Sequence, residues 1–456
     1  MISKEIFRAY DIRGIVGKTL QISDAYLIGQ ALATYLKKYS DPSIIIARDG
    51  RLSSPTLSKA LKNGLLEHGI HVIDVGEIPT PLLYFATCHL TTKNGVIITA
   101  SHNPAEYNGF KIVINGKPLP QEGIQLLYSL IVNQEFTQEK GHYSQVDIIP
   151  AYFQKIQADF QCPRPFKIVI DCANSIAGKI APSLFRKLGF EVVELFCEPD
   201  GRFPNHLPDP SEPENLLTLI ATVKETQAAL GIAYDGDADR VFIIDETGRW
   251  IPADYLLMLF ATEVLSLQPA AEIVFDIKCS YHLRKLIEKL GGKATLIRTG
   301  HTFLKKQIHD SKAALGGEAS GHFVFNDRWY GFDDGFYATV RVLEIMQRSG
   351  KKLSELLAAF PLSALTPELK IAMAEESKTA FINHFKQLIQ SQPIKIIDLD
   401  GLRVEFPYGW GLIRPSNTTP YLTLRFEADT EENLTQIKQF FRQHLLQIQP
   451  QLALPF

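Results

Sequence analysis

The chain is poor in the residues that build thiolate and disulfide centres. Its five cysteines, Cys88, Cys162, Cys172, Cys197 and Cys279, form no Cys-x-x-Cys pair, which argues against a zinc ribbon, a redox dithiol and a disulfide framework. Several lie in or beside apolar strands, where cysteine acts as a small buried hydrophobe. Long hydrophobic runs are also missing. Stretches such as Leu256-Leu257-Met258-Leu259-Phe260-Ala261 fall far short of the roughly 20 residues that span a bilayer. Neither sign of charge dominates, with 47 Lys and Arg against 50 Asp and Glu, so bulk electrostatics favours neither nucleic acid nor an anionic membrane. No phosphate-binding P-loop, dinucleotide glycine fingerprint, Gly-x-Ser-x-Gly elbow or His-Glu-x-x-His pair occurs, which removes support for nucleotide hydrolysis, dehydrogenation, serine hydrolysis and zinc proteolysis. Met1-Ile2-Ser3-Lys4-Glu5 leads into Phe7-Arg8-Ala9-Tyr10-Asp11 without an apolar h-region, which predicts a cytoplasmic protein.

What the chain does have is a repeated unit. Its 456 residues suggest about three domains or more. A helix with Ser23 or Asp24 as its cap and apolar residues at Ala25, Ile28, Leu32 and Leu36 follows the turn Tyr10-Asp11-Ile12-Arg13-Gly14. Ile44-Ile45-Ile46-Ala47 then reads as a buried strand ending in Arg48-Asp49-Gly50. A helix leads to a second strand at Gly69–Asp74, and Val96-Ile97-Ile98 runs into Thr99-Ala100-Ser101-His102-Asn103-Pro104. The order strand–acid, helix, Gly–strand, strand–loop returns from Ile168 to Asp235 and again from Ile273 to Glu318. Three passes point to three related α/β domains, each delivering one loop to a shared centre. Residues 362–456 have a different texture, with two helices, three strands and a polar loop at residues 414–420. The expected domains are 1–149, 150–248, 249–361 and 362–456, with a hinge near Phe360-Pro361-Leu362.

Four loops carry candidate chemistry. Ser101 and His102 end a strand at the carboxyl edge of a sheet, where α/β proteins bind ligands, although Ser, His, Asn and Pro also suit an ordinary turn. Asp235-Gly236-Asp237-Ala238-Asp239-Arg240 places three carboxylates at alternate positions, a set suited to a hard cation such as Mg²⁺ or Ca²⁺. An EF-hand fails because Arg240 stands where that loop needs glycine and the flanks read as strands. Arg240 beside a metal suits a phosphoryl group. Gly316-Gly317-Glu318-Ala319-Ser320-Gly321-His322 offers Glu318 and Ser320 as partners for adjacent sugar hydroxyls. Arg414-Pro415-Ser416-Asn417-Thr418-Thr419-Pro420 packs a guanidinium, hydroxyls and an amide in a way that suits a phosphate monoester. Arg13, Lys111, Lys278 and His301 are further basic candidates. Read singly, each of the last two loops could equally be a polar turn.

In that order, with domain-sized gaps, the four motifs resemble those of the α-D-phosphohexomutase superfamily, most closely its bacterial phosphomannomutase/phosphoglucomutase branch. The resemblance runs from Phe7-Arg8-Ala9-Tyr10-Asp11-Ile12-Arg13-Gly14 to Pro455-Phe456. It implies an α/β protein of four domains around a central cleft: three related mixed-sheet domains and a C-terminal α+β domain of the TATA-box-binding-protein type. That replaces the all-parallel sheets the repeat alone would suggest.

The resemblance also implies a reaction, the interconversion of hexose 1- and 6-phosphates through a phosphoserine at Ser101 and a hexose 1,6-bisphosphate. Mg²⁺ would join Ser101, Asp235, Asp237 and Asp239, and glucose 1,6-bisphosphate or mannose 1,6-bisphosphate would act as activator. Arg13 and Arg240 would steady the transferring group, while His102, Lys111 and His301 are candidates for proton transfer. The matched distal phosphate clamp is Arg414, Ser416, Asn417 and Thr418, and Glu318 and Ser320 match the loop that contacts O3 and O4 of the sugar. Tyr10, Lys278, Thr299, Gly300, His301 and His322 complete the implied substrate-binding set. Two residues depart from the family wording. Ala238 replaces a glycine, adding one methyl between ligands, and Ala319 stands in place of a methionine, which bears on choice among glucose, mannose and amino sugars. The expected partners are small sugar phosphates, with neither nucleic acid nor membrane, and the expected state is a monomer. The alternatives are a phosphoglucosamine mutase, a phosphoserine-dependent phosphomonoesterase and a non-catalytic sugar-phosphate binder.

Overall fold

The computed structural model describes residues 2–8, 10–136, 138–160, 165–416 and 420–456. Among them lie four separate sheets, and the first three repeat one topology. In the first, Ser43–Arg48 pairs in parallel with His71–Glu77 on one side and Gly95–Ile98 on the other. Gly95–Ile98 then pairs antiparallel with Tyr107–Ile114. In the second, Lys167–Asp171 lies between Glu191–Leu195 and Leu230–Tyr234, and Val241–Asp245 returns antiparallel. In the third, Glu272–Asp276 lies between Lys293–Ile297 and Leu315–Gly317, and Phe323–Phe325 returns antiparallel. The repeat read from sequence is therefore structural. Its sheets are mixed for a simple reason: a few residues joining two neighbouring strands can only make them antiparallel. Each candidate loop of these domains is that short connection.

Strong apolar runs explain the central strands, since Ile44, Ile45, Ile46, Ile168, Val169, Ile170, Ile273 and Val274 are fully buried. One core runs through all three domains, from Ile45 and Ile97 through Ile168 and Tyr234 to Leu257 and Phe336. Helices form close to their expected places, for instance Ser54–Leu66, Tyr281–Lys289 and Glu431–Ile448. The first long helix, Ile22–Tyr39, is capped differently from expectation. Gln21 is its N-cap, and Asp24 sits at the third position, accepting the Gln21 N–H at 2.7 Å.

The fourth domain has its own core around Phe385, Phe426, Ile437 and Phe441. Its antiparallel sheet includes Gly409–Pro415, where only a loop at its end was expected. Glycines hid the strand. At Gly411 a Cβ would lie 2.4 Å from the Phe441 ring, so the position is kept small by the helix packed above it. A small apolar cluster, Ile277, Tyr281, Trp410 and Leu412, joins this domain to the third. Leu362, in the connecting segment, is exposed. No helix among the described residues is long and apolar enough to cross a membrane.

Asp334 caps the helix Gly335–Ser349 by accepting the Tyr337 N–H, and Tyr152 donates to the same carboxyl at 2.9 Å. Burial pushes this carboxyl up to about 7. Between pH about 4 and about 7 the folded chain therefore holds a proton that the unfolded chain has released, so this group's contribution to stability falls as pH rises through that window. Asp334→Asn keeps the cap and removes the titration. The variant's melting temperature should gain on the parent's between pH 5 and 8; a constant difference would refute the assignment.

Candidate functional site

The three connecting loops meet at one place. Ser101 adopts φ 49°, in the left-handed region that costs an L-residue about 1–2 kcal/mol, so the surroundings must hold it there. Arg51 does so. Its buried guanidinium donates to the carbonyls of Ser101 (2.7 Å), Asn103 (2.6 Å), Pro104 (2.6 Å) and Tyr107 (3.1 Å). It pairs with Asp49 at 3.3 Å and lies 5.0 Å from the Phe203 ring of the second domain. On the other side of the loop, Gly236 has no room for a side chain, because a Cβ would sit 2.0 Å from the Ser101 carbonyl oxygen. That glycine lets the acidic loop close on the serine.

Ser101 Oγ donates to Asp235 Oδ2 at 2.6 Å and lies 3.2 Å from His102 Nδ1. Asp235, Asp237 and Asp239 are fully buried, and one carboxylate oxygen from each lies within 4.8 Å of the others. Lys111 reaches across from the first domain to Asp237 (2.6 Å) and Asp239 (2.5 Å), while the Arg240 Nε donates to Asp235 at 3.1 Å. Thr80 also buttresses the loop, its hydroxyl on Asp237 Oδ2 and its N–H on the Asp237 carbonyl. Asp237 Oδ1 and Asp239 Oδ1 remain buried without a hydrogen-bond partner among the described residues. Three carboxylates, two of them with an orphaned oxygen, and no thiolate suit a hard divalent cation, so this acidic cluster could hold one. Ala238, where the resemblance expects glycine, sits at φ 61°, and its methyl is buried away from solvent. The extra methyl therefore acts through backbone strain and leaves the carboxylates in place.

The charges are strongly interdependent. Burial pushes the Asp235 carboxyl up to about 7, against the pull of Arg240. Burial opposes the charge on Lys111 as well, yet Asp237 and Asp239 outweigh it and hold the ammonium well above its ordinary range. Lys111 is thus a fixed donor and positive charge in this arrangement. His102 is pushed well below its ordinary value by burial and by the neighbouring guanidiniums of Arg240 and Arg13, which leaves it a neutral acceptor beside Ser101. Arg13 lies on the same loop, donating to the Ala100 carbonyl (3.3 Å) and to Asn103 Oδ1 (2.5 Å).

The loop at residues 318–322 belongs to the third domain and is joined to the acidic loop by a bridge between Arg240 and His322. Glu318 accepts the Gly300 N–H at 2.6 Å and the Ser320 hydroxyl at 3.0 Å. Asp276, the acid that ends the repeated first strand, accepts the Ala319 N–H (3.0 Å) and the Thr299 hydroxyl (2.8 Å). Ala319 packs against the shared core. Tyr10 meets Phe303 edge-on at 5.5 Å, close above Gly300.

His301 and His322 stack at 5.2 Å with 13° between their planes, and both face Asp333 Oδ2, at 3.3 and 3.1 Å. Lys305 joins Asp333 (2.8 Å), His301 Nδ1 (3.0 Å) and the Tyr84 hydroxyl (3.0 Å). Burial and Lys305 press His301 down to about 4. For His322, burial pulls downward but Asp239 and Asp333 prevail and raise it. Asp239, His322 and Asp333 could be read as a second metal cluster by proximity. Those two carboxylates already have cationic partners, Lys111 on Asp239 and Lys305 on Asp333, with the His322 ring between them. Sequence reasoning had no signal for Arg51, Thr80, Lys305 or Asp333, which stand outside any recognisable motif.

The last loop stands apart. Arg414 ends the strand Gly409–Pro415 and pairs with Asp400 at 2.9 Å, and the Ser416 carbonyl accepts from Lys378 at 2.9 Å. No direct bond between these groups and the serine loop is present among the described residues. Asn417 and Thr418 lie outside the described residues. Lys278 sits on the turn after Glu272–Asp276, near enough for its charge to act on Glu318, and Arg403 of the fourth domain donates to the flanking carbonyls of Ile277 (2.7 Å) and Cys279 (2.8 Å).

Family models described as phosphoglucomutase/phosphomannomutase alpha/beta/alpha domains I, II and III match residues 4–138, 150–248 and 252–362. The model for the C-terminal domain of the same family matches residues 368–444. A Pseudomonas aeruginosa protein named phosphomannomutase/phosphoglucomutase is 49% identical, over 99% of this chain and 97% of its own. A Neisseria gonorrhoeae phosphoglucomutase is 45% identical, over 100% and 99%. Among solved structures, a phosphoglucomutase/phosphomannomutase family protein from Burkholderia thailandensis superimposes with a TM-score of 0.95, at 43% identity and full coverage of both chains. Four domain models of one family in order along the chain, with relatives 45–49% identical over nearly its full length, place the chain in the phosphoglucomutase/phosphomannomutase family as a hexose phosphate mutase, an isomerase.

Proposed function

We propose that this enzyme interconverts the 1- and 6-phosphates of both glucose and mannose, with Ser101 as the phosphoryl carrier. The observation that carries this reading is the 2.6 Å contact of Ser101 Oγ with Asp235 at the centre of the buried acidic loop. A serine so placed can hold a phosphoryl group beside a cation, and Arg240 and Arg13 lie where they would neutralise its oxygens. When bound, Mg²⁺ held by Asp235, Asp237 and Asp239 would supply charge neutralisation for the phosphoserine.

In the forward direction the 6-hydroxyl of a hexose 1-phosphate attacks the phosphoserine phosphorus. A new P–O6 bond forms, the P–Oγ bond breaks, and the hexose 1,6-bisphosphate results. The hydroxyl proton needs an acceptor and Ser101 Oγ a donor. Neutral His102 and His301 can accept, while Lys111 and His322 hold protons. After the bisphosphate turns over, its 1-phosphate returns to Ser101 Oγ and the 6-phosphate leaves. Arg414 with Ser416, Asn417 and Thr418 would grip whichever phosphate is not reacting, which requires a clamp that reads phosphate and ignores the carbon bearing it. Glu318 and Ser320 would read O3 and O4, which glucose and mannose share. Glucose or mannose 1,6-bisphosphate would prime any enzyme that has lost its phosphate. We further propose that the enzyme acts as a cytoplasmic monomer on small sugar phosphates, without nucleic acid or membrane partners.

The test is turnover on mannose, glucose and glucosamine 1-phosphates with Mg²⁺ and glucose 1,6-bisphosphate present. Mannose and glucose should turn over within about tenfold of each other, because the hydroxyls that Glu318 and Ser320 would read are common to both. Activity confined to glucosamine 1-phosphate, or release of inorganic phosphate in place of the isomer, would overturn the reading.

A further inference from the structure

Asp400 lies in the turn between Lys395–Ile397 and Leu402–Phe406, which as sequence is an ordinary Asp-Gly turn. In the structure it is buried, and its Oδ2 accepts from two partners in different domains. One is Arg414 Nη2 at 2.9 Å; the other is the backbone N–H of Thr299, in the third domain, at 3.3 Å. Gly401 makes the first contact possible. Its φ is +76°, and a Cβ there would lie 2.5 Å from Arg414 Cα, so the turn presses directly on the clamp residue. The neighbour of Thr299, Gly300, gives its N–H to Glu318. A continuous path thus runs from the arginine of the phosphate clamp, through Asp400, to the carboxylate that reads the sugar.

Resting on the proposed clamp role of Arg414, we propose that Asp400 is the positioning residue that fixes the phosphate clamp relative to the sugar-recognition loop. A guanidinium has five N–H donors, and Asp400 occupies only the Nη2 side. Arg414 Nε is buried without a hydrogen-bond partner among the described residues, which leaves donors for a phosphate while the carboxylate sets the plane of the group. The Thr299 contact sets how far the clamp stands from Glu318, and so which phosphate-to-hydroxyl span the cleft accepts. An asparagine at 400 keeps the size but loses the charge-assisted bond to Arg414. Asp400 touches neither Ser101 nor the acidic loop, so the chemical step is left intact.

The experiment is a cycle of Asp400→Asn, Arg414→Met and the double variant, each assayed on glucose 1-phosphate with Mg²⁺ and glucose 1,6-bisphosphate. Asp400→Asn should raise KM about tenfold, the scale of one charge-assisted hydrogen bond, with kcat within about threefold of the parent. The retained kcat also reports that the variant folds. Arg414→Met should raise KM further, and the double variant should match Arg414→Met alone. If Arg414→Met raises KM while Asp400→Asn leaves it unchanged, or if the two effects simply multiply, the positioning role is overturned and the clamp stands. If Arg414→Met leaves KM unchanged, the clamp reading itself falls. A fall in kcat for Asp400→Asn without a rise in KM also overturns the proposal.

Discussion

Replacing Ser101 by alanine is expected to reduce mutase turnover by ~10⁴-fold or more, because the phosphoryl group then has no carrier and no other side chain occupies its position. Ser101 Oγ is the group bonded to Asp235 at the centre of the acidic cluster. Binding of the sugar phosphate should survive within a few-fold, since Glu318, Ser320 and Arg414 belong to other loops and make no contact with Ser101. A loss of turnover with retained binding is the expected signature. Turnover within tenfold of the parent would show that another residue carries the phosphate.

Arg51→Met is expected to be nearly as damaging, through the shape of the serine loop. One guanidinium, its side chain 1% exposed, satisfies four carbonyls between Ser101 and Tyr107 and balances buried Asp49. Its removal strands those carbonyls and leaves a buried carboxylate without its partner, which typically costs about 3–5 kcal/mol. The left-handed Ser101 loses the clamp that keeps it in place, and a misplacement on the order of 1 Å at a reacting group costs about 10²-fold in rate. Urea denaturation should show the first effect. Assays at a temperature where the variant remains folded should show the second, as a fall in kcat. A variant that is destabilised yet turns over at the parent's rate would mean that the acidic loop alone positions Ser101.

The fold was legible in the sequence where apolar runs and acids recur. Ile44–Ala47, Ile168–Ile170 and Ile273–Phe275 mark the same strand in three domains, and each third strand ends at Thr99, Asp235 or Glu318. The return strands of the first and third domains were less legible, because Tyr107–Ile114 opens with polar and glycine residues after a polar turn and Phe323–Phe325 is only three residues long. Gly409–Pro415 was hidden by the glycines that helix packing requires. The acidic loop could be read because spacing and chemistry coincide in six residues. The residues that hold the site in place could not. Arg51 follows a strand-end Asp-Gly, Thr80 opens a helix, Asp333 precedes a cap, and Asp400 sits in a hairpin turn. Each acquires its role through distant partners: Ser101 is 50 positions from Arg51, Asp237 is 157 from Thr80, Lys305 is 28 from Asp333 and Thr299 is 101 from Asp400. A single chain without partners displayed gives no local pattern for such contacts.

The account rests on a phosphorylated Ser101, and the intact mass of the purified enzyme tests it most directly. After incubation with glucose 1,6-bisphosphate and Mg²⁺, the account predicts one added phosphate, about 80 Da, located at Ser101 and absent from Ser101→Ala. That mass should be lost when the enzyme is mixed with excess hexose monophosphate and the bisphosphate is washed away. An enzyme that turns over fully without ever carrying the added mass, or that carries it equally in Ser101→Ala, would contradict the account.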